Sequence, residues 1–339
     1  MYRPTTKNEW WMCSVLVTQA IVTIALETYM LLQWQSWVTP TIVQVPVSYV
    51  VPINLAILIF ACVYEFILTL DAIHHKNNML LFAICICNIC SFVYAVMQYH
   101  LMEATTASLL AQRVPILVDT TRNLWPLIQP AEIVVCIVMG LCTLIMLPSA
   151  YFLHREYSWA IYKCVHGDRK TRMRYLFYEI FLVLMKLNFY FLIGFIIHYN
   201  LIRVHVPSLL EYKLTMCLIP AAFICMLLGI FFVQQEKTWG VISVIICYLG
   251  LVAYLISRII FLRGDNTAGK DMMLLFAFVS LVLTTAIVVC AIVCITNFDR
   301  GFKKINRSKT GVQDAYPLQM GDRPLSHPSY RPPSRLTLD

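Results

Sequence analysis

An all-α bundle that crosses a lipid bilayer about eight times, followed by a disordered cytosolic C-terminal tail, is the fold class this sequence predicts. Three observations predict it. The 339 residues are 60% hydrophobic and 13% charged, where a soluble domain is nearer one half and one quarter. Mean hydropathy is +0.72. The apolar residues arrive as separate long runs rather than scattered along the chain, and about 20 apolar residues are needed to cross ~30 Å of hydrocarbon.

The elements follow in order. A polar start carrying Arg3 and Lys7 leads into span one, Met12 to Trp34. This run is too long for a signal-peptide core and no small-residue cleavage site follows it. Trp10, Trp11, Trp34 and Trp37 bracket the span as interfacial anchors. Pro40 and Pro46 mark an uncharged, extended connection. Span two, 51–73, ends in the tight turn His74-His75-Lys76-Asn77-Asn78, and span three covers 79–100. Met102 to Gln112 reads as a separate surface helix stopping before Pro115. Span four, 130–153, carries Pro148 near its end.

The stretch from His154 to Tyr175 is basic and aromatic. Ser158 is placed to cap a short interfacial helix and Gly167 to end it. Arg155, Lys163, Arg169, Lys170, Arg172 and Arg174 make it the densest cationic segment outside the tail. Span five, 177–200, follows, then 214–234, 239–261 and 272–295, with a short turn that pairs the sixth and seventh spans as a hairpin. Residues 1–296 therefore form the membrane domain. Residues 297–339, basic and then polar with five prolines, form the tail. No internal repeat stands out.

Eight spans put both termini on one side. Counting Lys and Arg outside the spans gives 18 on the side of the termini and 6 on the other, which predicts cytosolic termini. The net charge of +8 is thus accounted for by loop orientation and anionic lipid headgroups, not by nucleic acid. Twelve of the thirteen cysteines lie inside predicted spans and only Cys164 lies in a loop, so they act as small apolar residues. Cys85, Cys87 and Cys90 lack the further ligands a metal site needs. No cofactor is expected. The sequence has no HExxH, phosphate-binding loop or serine elbow, and an enzyme is not expected either.

Charges at bilayer depth are functional candidates. Glu27, Glu65, Asp71, Glu179, Lys186 and Arg258 lie inside the predicted spans. Asp71, Glu179 and Arg258 lie near span ends and are read as interfacial. Lys186 and Asn88 fall at roughly 13 Å from the cytosolic edge and Glu65 at roughly 12 Å. The expectation is one polar layer built from Lys186, Glu65 and Asn88, with a Lys186–Glu65 pair. Glu27, at roughly 22 Å, lies too deep for that layer and is placed to cap a cavity on the luminal side.

Several motifs carry a family resemblance: Trp159-Ala-Ile-Tyr-Lys, His166-Gly-Asp, Tyr178-Glu-Ile-Phe through Lys186 and Phe189, and Gly194-Phe195. A second stretch adds Leu70-Asp71-Ala72, Lys76-Asn77, Asn88 and Tyr94 to Gln98. With them the sequence resembles an uncharacterised fungal family of multi-pass Golgi-apparatus membrane proteins. The resemblance implies an endomembrane address and supplies no catalytic residues. Two departures stand out. Asn188 occupies a position where the family pattern has an acid, and Gly167-Asp168 is one residue shorter than the family's Gly-Ala-Asp.

Two function classes remain. One is transport of a small molecule or lipid through the polar layer. The other is a scaffold or receptor-like role, with the basic loop and tail binding anionic lipid or trafficking factors.

Overall fold

A computed structural model describes residues 4, 6–38, 46–111, 123–164, 169–200, 210–264 and 269–296. Among these are eight α-helices: α1 (Lys7–Trp37), α2 (Pro46–His75), α3 (Asn78–Ala111), α4 (Trp125–Cys164), α5 (Arg169–His198), α6 (Leu210–Gln234), α7 (Thr238–Arg263) and α8 (Lys270–Thr296). All eight are long and apolar enough to cross a bilayer. The chain is a multi-pass membrane protein. The tail, 297–339, lies outside the described residues.

Each helix start and stop has a local cause. Thr6 caps α1 in a reciprocal box with Glu9: the Thr6 hydroxyl accepts from the Glu9 amide, and the Glu9 carboxylate accepts from the Thr6 amide. The α2–α3 turn is a Schellman motif. Lys76 takes φ 47°, its amide donates to the Ile73 carbonyl, and the Asn77 amide donates to that of Ala72. The Asn77 side chain then caps α3 by accepting from the Met79 and Leu80 amides. The α6–α7 turn repeats this geometry at Glu236 (φ 54°) and Lys237.

The packing is two rings of four helices. In the first, α1 packs on α2, α2 on α3, α3 on α4, and α4 closes on α1. In the second, α5–α6, α6–α7, α7–α8 and α8–α5 repeat that order. Both rings place a Schellman turn between their second and third helices. The rings join where α5 packs on α2 and α3. In α5 67% of the most apolar stretch is buried, against 17% in α6 and 22% in α7. So α5 is the central helix, while α6 and α7 turn Phe223, Ile224, Phe231, Ile246 and Ile260 outward, as a lipid-facing wall would.

Several boundary expectations are corrected. The 102–112 segment is not a separate surface helix: residues 102–111 are the end of α3, which continues unbroken because no Gly or Pro interrupts it, and Gln112 lies outside the described residues. Ser158 does not cap a new helix. It sits inside the 40-residue α4 and accepts from the Asn78 amide group at 3.1 Å. The basic 154–175 stretch is therefore mainly the end of α4 and the start of α5. Gly167 lies outside the described residues.

Trp34 and Trp37 are not interfacial anchors. Both are 2% exposed and meet edge to face, with ring centroids 5.5 Å apart. Trp10 and Trp11 are well exposed, as anchors should be.

Candidate functional site: a buried polar column in the first ring

The end of the bundle that holds the start of α1 is called the near end here. Four polar clusters descend from it between the helices. At the near end, the Tyr157 hydroxyl of α4 donates to Glu9 of α1 at 2.9 Å. This contact shows that α1 and α4 are antiparallel.

The next cluster draws on every helix of the first ring. The Asn88 amide group (α3) donates to Glu65 (α2) at 2.9 Å and to Gln19 Oε1 (α1) at 3.0 Å. Ser91 donates to the other Glu65 oxygen at 2.6 Å. The Thr143 hydroxyl (α4) lies 2.5 Å from Asn88 Oδ1. Glu65 and Asn88 have no exposed surface. Antiparallel neighbours brought them level, as the depth count expected.

Lys186 is not in this layer, and the expected Lys186–Glu65 pair does not form. Its Nζ donates instead to Asp71 Oδ2 at 2.5 Å, and His75 lies 3.6 Å from the other Asp71 oxygen. Asp71 is six residues beyond Glu65, about 9 Å nearer the membrane edge. The lysine stem bends toward that edge, where its side chain keeps 26% exposure and that of Asp71 29%. A charge near the predicted end of a span is less costly than one at Glu65's depth, which favours Asp71 as the partner. The α5 backbone at this point is held by Tyr64, whose hydroxyl donates to the Lys186 carbonyl at 2.6 Å.

About 12 Å further down α1 lies a cluster the sequence reading missed. Gln98 Nε2 (α3) donates to both Glu27 oxygens (α1), at 3.1 and 3.2 Å, and to Glu132 Oε1 (α4) at 3.3 Å. Both carboxyls are fully buried. Glu27 was singled out from the sequence, but as a lone cavity cap. Glu132 falls inside the 130–153 span, but only two residues from its start, where a carboxyl reads as interfacial. The first turn of α4 begins instead at Trp125, with the Trp125 amide donating to Asn123 Oδ1 at 3.2 Å. Glu132 therefore stands about two turns into α4, buried inside the bundle.

A fourth cluster joins the rings. His198 of α5 sits with Nε2 2.7 Å from Asn54 Oδ1 and Nδ1 2.9 Å from the Gly194 carbonyl. Tyr94 approaches Asn54 Oδ1 at 3.0 Å and the Asn54 carbonyl at 3.3 Å. A neutral imidazole has one N–H, so it cannot donate to both acceptors. Turning the Asn54 amide removes this conflict: its NH₂ donates to His198 Nε2 and to the Tyr94 oxygen, Tyr94 donates to the Asn54 backbone carbonyl, and the His198 Nδ1–H donates to the Gly194 carbonyl.

Asn188, where the family pattern has an acid, faces away from Lys186. It accepts from Ser280 and Thr284 of α8 at 3.0 and 3.1 Å. Of the basic segment, Arg155 is exposed. The side chains of Lys163, Arg169, Lys170, Arg172 and Arg174 lie outside the described residues. Among the described residues, no group of three or more His, Cys, Asp or Glu is placed to hold a metal.

This geometry can accept donors and cations along one ring. Glu27, Glu65 and Glu132 are buried on three helices, and neither ion pair recorded among the described residues involves them. Isolated carboxylates in hydrocarbon cost several kcal/mol each, so they are seldom kept for packing alone.

No family model and no solved structure matches the chain. A curated relative does. The chain is 23% identical over 274 residues to a UPF0658 Golgi apparatus membrane protein of the fission yeast Schizosaccharomyces pombe, covering 75% of this chain and 77% of that one. The resemblance to an uncharacterised fungal family of Golgi membrane proteins stands on that match.

Proposed function

We propose that this chain resides in the Golgi membrane and transports a small polar molecule through the α1–α4 ring. One observation carries the reading: Glu27, Glu65 and Glu132, fully buried, are bridged by Gln98, Asn88 and Ser91 rather than neutralised by a cation. Buried acids on facing helices commonly mark solute and ion pathways. The Golgi address is taken from the relative's name and coverage. The charge count supports cytosolic termini and a cytosolic 155–174 segment. The activity proposed involves no covalent chemistry.

Purified protein reconstituted into liposomes, offered a mixed pool of small polar metabolites, tests it. Accumulation of one solute class above protein-free liposomes, lost in Glu65→Gln, is the expected result. Uptake that never exceeds the protein-free level overturns the reading. A second reading, membrane recruitment of partners, is favoured by the six cations between Arg155 and Arg174. It predicts binding to liposomes containing anionic lipid by a peptide of that segment.

A further inference from the structure

The Glu27–Gln98–Glu132 cluster has more acceptors than donors. The Gln98 amide nitrogen carries two hydrogens. One reaches Glu132 Oε1, and the other is shared between the two Glu27 oxygens. Two atoms are then left without a hydrogen-bond partner among the described residues: Gln98 Oε1 and Glu132 Oε2. Gln98 is 2% exposed and Glu132 is fully buried. Turning the amide over still requires a proton in the cluster, because its carbonyl oxygen would then face three carboxyl oxygens. Both orphans are acceptors, and they belong to the two groups already joined by the Gln98 N–H to Glu132 Oε1.

An amide and a carboxylic acid close an eight-membered ring when the amide N–H donates to the acid carbonyl and the acid O–H donates to the amide carbonyl. Half of that ring is present. We infer that Glu132 carries an exchangeable proton on Oε2, donated to Gln98 Oε1, and that this proton is the coupling ion of the pathway. One proton satisfies both orphaned atoms and leaves one negative charge in the cluster, on Glu27. Its uptake is simple acid–base chemistry: the carboxylate gains a proton from hydronium and water is released.

The other titratable groups within electrostatic reach are Cys62 of α2, Tyr94 of α3 and Cys136 of α4. Glu27 faces the site from α1, and none of these groups is a cation. The coupling role rests on the transport reading. The proton's residence on Glu132 does not.

Infrared spectroscopy of the full-length protein in phosphatidylcholine nanodiscs at neutral pH reads that residence directly. A protonated-carboxyl C=O band is expected, lost in Glu132→Gln and retained in Glu27→Gln and Glu65→Gln. Glu132→Gln keeps the ring, since its amide donates to Gln98 Oε1 as the acid did. Should that variant misfold, Gln98→Leu is the second probe: it removes both ring partners, and the band shifts to higher wavenumber as for a free carboxyl. A spectrum unchanged by Glu132→Gln, a band lost with Glu27→Gln instead, or a band unmoved by Gln98→Leu overturns the assignment.

In reconstituted liposomes, uptake driven by an inward proton gradient is expected to lose its gradient dependence in Glu132→Gln. Uptake indifferent to the gradient in the unmodified protein overturns the coupling role. No uptake at all sinks the transport reading and the coupling with it, while the infrared band still reports the proton.

Discussion

Lys186 and Glu65 show how a few ångströms of depth decide the worth of a charge. The Lys186–Asp71 contact is short but sits near the membrane edge with both side chains about a quarter exposed. Solvent screening there leaves such a pair about 0.2–1 kcal/mol. A double-mutant cycle on Lys186→Met and Asp71→Asn, read by thermal unfolding in detergent, is expected to give a coupling in that range. The same cycle on Lys186 with Glu65→Gln is expected to give none, because the two residues share no contact. The Glu65–Asn88 bond is fully buried, and its cycle should return about 0.6–1.7 kcal/mol, the range for hydrogen bonds between membrane helices. Asn188 belongs to the same scale. Asn188→Leu leaves the two α8 hydroxyls to back-bond along their own helix; the single Thr284 hydrogen, shared between Asn188 Oδ1 at 3.1 Å and the Ser280 carbonyl at 2.6 Å, then goes wholly to the carbonyl. The expected loss is about 0.6 kcal/mol, and an unchanged melting temperature would contradict the contact.

Helix α5 is the element on which the rings depend, and its closest approach is at Gly194. A Cβ there would come within 2.4 Å of the Phe276 ring of α8. Phe276 is 1% exposed, with Tyr94, Tyr190, Phe191 and His198 around it, so the ring has no room to move. Gly194→Ala is expected to destabilise by about 1–3 kcal/mol, and Phe276→Leu in the same chain should restore part of the loss. Gly250 of α7 is the control, since nothing lies within 4 Å of its added methyl. Gly250→Ala should be neutral or stabilising by up to about 1 kcal/mol, the helix-propensity difference. Equal effects at the two glycines would disprove the tight α5–α8 seam.

Eight candidate spans among the described residues make an even number of crossings the expectation for the whole molecule. Eight crossings return the chain to its starting side, so tags on the two termini should be equally open to protease in sealed vesicles. The 18 to 6 division of cations is the basis for expecting that side to be cytosolic. Protection of one terminus and cleavage of the other would remove a helix from the membrane. Cleavage of the 169–174 cluster only from the luminal side would invert the orientation.

Much of this fold was legible in the sequence because bilayer thickness imposes a length that apolar runs must meet. That constraint located eight helices and placed Glu65 and Asn88 at one depth. It did not say how far a helix runs beyond the hydrocarbon, so α3 and α4 proved longer than their spans. Glu132, two residues inside its predicted span, looked like an edge residue until the earlier start of α4 set it deeper in the helix. Linear depth also cannot say which face a residue presents. Gln98, Ser91, Thr143 and Gln19 look like ordinary polar residues until ring packing turns them toward the acids.

Hydropathy alone settled that the chain is a membrane bundle, since a run of apolar residues has one low-energy environment wherever its neighbours lie. Partner choice was left to the tertiary structure. Which amine meets which acid, and which carboxyls share one amide, depends on the rotation of each helix about its axis. That rotation is set by packing between helices distant in sequence, which no local pattern encodes.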